Sequence, residues 1–225
     1  MASRRVDSVR SIALAVAIAS GFVHAAQLEV RLAQRDGSGV ADGVVAAYPI
    51  GRAVPAAPSA EIDPRGLSFV GQVVAVRTGT SVRFPNSDNV RHHVYSFSPA
   101  KTFELKLYSG DHASSVVFDK PGGVALGCNI HDWMLGYLYV VDTPYFAKTD
   151  RDGVVTLKGL PDGDYELRIW HPRLQAANEY LSERVTLDGE LLRRDVAVAL
   201  RPAEQPNHPP AGLELGLDAR AGSVR

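Results

Sequence analysis

The sequence predicts an all-β protein, and two observations carry that prediction. Short runs of alternating apolar residues are separated by Gly, Pro, Asn and Asp, a spacing typical of β-sandwiches. Five Asp-Gly pairs (Asp36-Gly37, Asp42-Gly43, Asp152-Gly153, Asp162-Gly163, Asp188-Gly189) mark tight turns that call for positive φ.

Taken in order, strands are expected at 28–32, 43–48, 73–77, 81–84, 94–97 and 103–107. Further strands are expected at 115–119, 123–128, 137–142, 154–158, 164–170 and 195–200. Phe103, Leu105 and Leu107 alternate with Glu104, Lys106 and Tyr108, the pattern of a half-buried strand with its apolar side on the core. One helix is expected, at 173–182.

A chain of 225 residues holds one large domain or two small ones. Residues 1–25 read as an export signal. Arg4, Arg5 and Arg10 form a positive start, 12–23 is an apolar run too short to span a bilayer, and Val23-His24-Ala25 precedes the expected cut. This places the mature chain in the periplasm or outside the cell, without membrane insertion. The stretch 52–59 is a Pro/Ala linker, and 201–225 is a Pro-, Ala- and Gly-rich tail without periodicity, expected to be disordered. Between the signal and the tail lie three segments: 26–55, a central block at 60–142, and 143–200. The formal net charge of −1 gives no electrostatic footprint for nucleic acid.

The chain has one cysteine, Cys128. In an oxidising compartment it has no internal disulfide partner, so it is either buried and inert or held as a thiolate. It opens Cys128-Asn129-Ile130-His131-Asp132-Trp133-Met134, which sets a thiolate, an imidazole and a thioether within seven residues. With a second imidazole from His92 or His93, this is the donor set of a soft copper site. Thiolate and thioether favour Cu(I), and imidazole suits both Cu(I) and Cu(II). Zinc fits less well, because a thioether is a weak zinc ligand.

Phe84-Pro85-Asn86, the His92 segment and the Cys128/His131 loop resemble the cupredoxins, the plastocyanin and pseudoazurin group of blue copper proteins. The chain is more similar still to periplasmic proteins labelled methylamine-utilisation or plastocyanin-like. Phe84-Pro85-Asn86-Ser87-Asp88, Val94-Tyr95-Ser96, the 128–134 segment and Thr143-Pro144-Tyr145-Phe146-Ala147 carry that likeness, over about 28–172. The resemblance implies an eight-stranded Greek-key sandwich with one copper ion near one end, ligated by His92, Cys128, His131 and Met134.

Two departures leave alternatives open. Plastocyanins place Asn after the first ligand histidine, tying the two ligand loops together. Here His93 stands there, so it is either that tie or the ligand itself. Met134 follows His131 by three residues where plastocyanins have five. If Met134 is not a ligand, the axial position falls to water, a carbonyl or nothing. The shorter spacing is similar to the copper loop of cytochrome oxidase subunit II, but the second cysteine of that loop is missing, which implies a mononuclear site.

The flanks have their own likeness. Thr149-Asp150-Arg151-Asp152-Gly153 and 160–167 resemble the carboxypeptidase regulatory-like, transthyretin-like sandwich, whose first strands would lie at 26–55. Either the central block is inserted into such a module or the flanks extend one sandwich. His171 and His112 read as structural or surface histidines.

Together these readings imply a periplasmic one-electron carrier between redox protein partners, not an enzyme. A copper delivery or binding module is the alternative. A copper enzyme would need a coordination position open to substrate.

Overall fold

The computed structural model describes residues 25–51, 60–61, 72–108, 114–131 and 133–203. The expected export signal up to residue 24, the linker, His112, Asp132 and the tail from residue 204 lie outside them. Every regular element among the described residues is a strand, so the chain is all-β.

Two sheets come from the flanks. One joins β1 (Ala25–Ala33), central, to β12 (Val154–Pro161) and β15 (Leu191–Ala197). The other has β2 (Val44–Pro49) between β11 (Tyr145–Lys148) and β13 (Gly163–Trp170), with β14 (Leu181–Leu187) beyond β13. On β1 the period of two is regular: Ala26, Leu28, Val30 and Leu32 are fully buried, with more exposed residues between them. Burying each leucine contributes about 1.5–3 kcal/mol. These side chains meet Val45, Ala47, Tyr165, Leu167, Ile169, Val185 and Leu187 in one core.

The central block supplies eight strands. A five-stranded sheet runs β4 (Val73–Arg77), β10 (Leu135–Val141), β9 (Gly122–Cys128), β6 (His92–Ser98), β7 (Lys101–Tyr108). A three-stranded sheet runs β3 (Ala60–Glu61), β5 (Thr80–Arg83), β8 (Ser115–Phe118). Their shared core holds Val82, Phe84, Val94, Phe118, Leu126, Leu138 and Val140.

Two strands are apolar on both faces, and this joins the pairs of sheets. On β2, Val45 and Ala47 enter the flank core, while Val44 and Ala46 face the other way. On β10, Leu138 and Val140 enter the central core, while Tyr139 and Val141 face outward from it. The outward sets meet in a third cluster with Val73 and Trp170. Continuous apolar runs on β2 and β10 are what strands covered on both sides require.

The Asp-Gly turns behave as the pairs predict, with one variation. Gly37, Gly153, Gly163 and Gly189 carry positive φ, but in the fifth pair it falls on Asp42, at 58°. Gly43 is needed there for space: a Cβ would come within 2.5 Å of the Leu32 side chain.

Several expectations are corrected. The 173–182 helix is absent. The segment is a looped connection, with a local turn bond from Leu174 N–H to His171 C=O and a long-range bond from Gln175 N–H to Ala199 C=O. It runs into β14, where Val185 and Leu187 point to the core at strand spacing. The last strand lies at Leu191–Ala197 rather than 195–200, because it pairs in parallel with β1 from Gln27 opposite Leu191. Leu107, expected inside with Phe103 and Leu105, is 45% exposed. A bulge causes this: His92 pairs with Tyr108 but Val94 pairs with Leu105, so β7 carries an extra residue there.

Candidate metal centre

The pairing of β6 with β9 builds the centre. Val94 lies opposite Cys128 and Tyr95 opposite Gly127. Alternation on β6 puts His92, Val94 and Ser96 on the buried face, so His92 approaches the end of β9 where Cys128 sits. The loop from Cys128 to Leu135 then turns back. Asn129 N–H donates to the His93 carbonyl at 3.1 Å, and Met134 N–H donates to the His131 carbonyl at 2.9 Å. The first bond ties the loop to β6, and the second closes a tight turn that returns His131 toward the cysteine.

His92, Cys128 and His131 come together with one donor atom each, all within 4.8 Å of one another. Cys128 Sγ lies 3.7 Å from His92 Nδ1 and 3.5 Å from His131 Nδ1. Donors sharing one metal ion at bond lengths of about 2.0–2.3 Å stand roughly 3.5–3.8 Å apart. The spacing therefore suits a single first-row ion, and one thiolate with two imidazoles suits copper. The imidazole rings are 5.0 Å apart at 57°, so they do not stack on each other and both present Nδ1 to the sulfur.

The three residues differ in exposure. His92 is 0% exposed and Cys128 3%, while His131 is half-buried. Burial, and then the neighbouring His92, hold His131 below its ordinary pKa, with Asp88 acting in the opposite sense. A neutral imidazole is the ligating form. Next to His131, Ile130 is 47% exposed, and the Trp133 ring lies 5.5 Å from the imidazole.

The remaining candidates separate. Met134 is buried in the same core cluster as Cys128. His93 does not join the cluster, since its Nε2 lies 2.7 Å from Glu104 Oε1 on the exposed side of β6 and β7. The tie between ligand loops, expected of the His93 side chain if it is not a ligand, is made by the His93 backbone carbonyl. His171 does not join the cluster, and its Nδ1 accepts the Arg173 N–H at 3.1 Å.

No known family model matches the chain, and no curated protein matches it. Solved structures do. The Cu-containing nitrite reductase (NirK) from Thermus scotoductus SA-01 is 24% identical over 43% of this chain and 25% of that one, with a TM-score of 0.36. A novel purple cupredoxin from Nitrosopumilus maritimus is 21% identical over 36% of this chain and 99% of that one, with a TM-score of 0.34. A reduced mutant form of amicyanin is 16% identical over 44% of this chain and 99% of that one, also with a TM-score of 0.34. This chain thus spans a quarter of the nitrite reductase and nearly all of the two smaller proteins.

One residue at the centre is not singled out by the sequence. Asp88 Oδ2 lies 2.9 Å from His92 Nε2. The carboxylate accepts the Nε2–H, which fixes the tautomer and leaves Nδ1 free to ligate. Its place at the end of the Phe84-Pro85-Asn86-Ser87-Asp88 phrase and its spacing of four residues from His92 are the traces in the sequence, and they acquire meaning once 86–92 folds as a turn leading into a strand.

Proposed function

We propose that His92, Cys128 and His131 hold one copper ion and that the protein is an exported one-electron carrier. Copper bound there supplies exchange of a single electron between Cu(I) and Cu(II). The observation that carries the reading is Cys128 Sγ flanked by two Nδ1 atoms at 3.7 and 3.5 Å, one from a fully buried ring and one from a half-buried ring.

The residues divide the work. The pairing of β6 with β9 fixes the backbones of His92 and Cys128, so a rigid sheet would hold these two donors as the charge of a bound ion changes. Cys128, at 3% exposure, is shielded from oxidants and from disulfide exchange. His131 is half-buried, and the exposed Ile130 next to it offers a partner an apolar contact. Met134, buried in the same core cluster as Cys128, would be the candidate fourth donor. A periplasmic location and redox protein partners complete the proposal.

The test is metal analysis and visible spectroscopy of the mature protein. Loading with copper is expected to give one ion per chain and an intense thiolate-to-Cu(II) band that Cys128→Ala abolishes. A colourless Cu(II) complex overturns the reading. Reversible voltammetry with slow removal by chelator supports a carrier, whereas ready loss of Cu(I) supports delivery instead.

A further inference from the structure

We infer that Asp88 is a positioning residue that sets the reduction potential of the centre through His92, an inference resting on the copper reading above. A fully buried imidazole N–H needs an acceptor. A neutral carbonyl would serve that need. Here the acceptor is a carboxylate, at 2.9 Å, with its own side chain only 13% exposed.

The carboxylate is held in place from its own loop. Asp88 N–H donates to Asn86 Oδ1 at 2.9 Å. Asn86, 5% exposed, donates through Nδ2 to the Val90 carbonyl at 2.8 Å and to the Tyr108 carbonyl at 3.2 Å. Tyr108 pairs with His92 across the bulge. Asn86 therefore anchors Asp88 to its own loop and to Tyr108 of β7, opposite His92, and the relay Asn86, Asp88, His92 is one braced unit.

Charge decides what this does. A thiolate with Cu(II) carries one more positive charge than a thiolate with Cu(I). A carboxylate hydrogen-bonded to a ligand raises the basicity of that ligand and favours the more positive state. Asp88 therefore stabilises the oxidised form and lowers the potential. His131 carries its weight differently, since its ring lies toward the surface, so the two histidines contribute unequally to the potential.

The experiment compares copper-loaded wild type, Asp88→Asn and Glu104→Gln. Asparagine keeps an acceptor oxygen and removes the charge. It is expected to retain the thiolate band, weaken Cu(II) binding about 10–100-fold, and shift the equilibrium toward Cu(I) by at least tenfold, about 59 mV upward for one electron. Glu104→Gln removes the charge beside His93 and is expected to leave the Cu(II)/Cu(I) equilibrium within twofold of wild type. Equal potentials for wild type and Asp88→Asn overturn the inference, as do equal shifts in both variants, which would mark a general charge effect. In the Cu(I)-loaded wild type, a downfield, slowly exchanging His92 Nε2–H signal is expected. Its absence overturns the inference without recourse to any variant. A wild type that gives no thiolate band overturns the copper reading itself, which separates that failure from the failure of Asp88 alone.

Discussion

His92 and His93 leave β6 on opposite faces: His92 points its Nδ1 at Cys128 Sγ, 3.7 Å away, while His93 reaches Glu104 Oε1 at 2.7 Å on the exposed side. The two adjacent imidazoles therefore have separable roles. His92→Ala is expected to remove a ligand and abolish the thiolate-to-Cu(II) band. His93→Ala is expected to keep the band and cost about 0.5–1.5 kcal/mol, the worth of one hydrogen bond. Titration of each apoprotein with copper, followed in the visible range, checks both. Retention of the band by His92→Ala would remove His92 from the ligand set.

The local part of the centre is open to reading from the sequence because it is local. Cys128 and His131 are three residues apart on one loop, so any fold of that loop keeps them close. The choice between His92 and His93 needs strand phase, which the regular inward series His92, Val94, Ser96 supplies. Phase fails on β7, where the bulge before Tyr108 reverses Leu107, and nothing in the alternation of 103–107 announces an extra residue. The helix expected at 173–182 fails for a related reason: Leu174 bridges Leu200 and Gln175 N–H donates to the Ala199 carbonyl, and such long-range pairings leave no periodic trace. Asp88 escapes notice because its role depends on the Asn86 turn rather than on any residue pattern.

Gly127 sits where β9 passes beneath Tyr95. A Cβ there would lie 2.8 Å from Tyr95 Cζ and 2.9 Å from its hydroxyl. Gly127→Ala therefore forces the ring or the strand to move, at a cost of about 1–3 kcal/mol. Removing the ring first relieves the clash, so Tyr95→Ala/Gly127→Ala is expected to be more stable than the sum of the single losses implies, with a coupling of roughly 0.5–3 kcal/mol. Denaturant midpoints of the four proteins give the coupling. Strict additivity would mean that Gly127 is required for some reason other than the approach of Tyr95.

Tyr139 and Trp170 bind the two pairs of sheets together. Their rings stack with centroids 4.5 Å apart and planes 12° from parallel, one on β10 and the other at the end of β13. Trp170→Ala is expected to cost about 3–5 kcal/mol. Of this, about 0.5–1.5 kcal/mol belongs to the ring pair beyond the area it buries. A double-mutant cycle on Tyr139→Leu and Trp170→Leu measures that share. Because the cluster joins β2 and β13 to β4 and β10, the wild type is expected to unfold in one transition by both tyrosine and tryptophan signals. Two separated transitions in the wild type would mean that the third cluster does not couple the sheets.

His171 gives the fold a pH dependence that does not involve the metal centre. Burial, and then the charge of Arg173, bring its pKa down to about 4, with Asp42 opposing them. Its Nδ1 accepts the Arg173 N–H at 3.1 Å, a bond that the neutral ring makes. In the unfolded chain a histidine titrates near 6.5. The folded pKa is the lower of the two, so the unfolded state binds the proton first as pH falls. The stabilisation is fully present above about pH 6.5, is lost progressively toward pH 4, and levels off below that. Allowing for solvent screening, the loss is on the order of 1–2 kcal/mol. His171→Asn offers an oxygen in place of Nδ1 and does not titrate. Its denaturant midpoint is expected to fall less steeply than that of wild type between pH 6.5 and 4. Parallel profiles for the two proteins would assign the acid sensitivity of this fold to other groups.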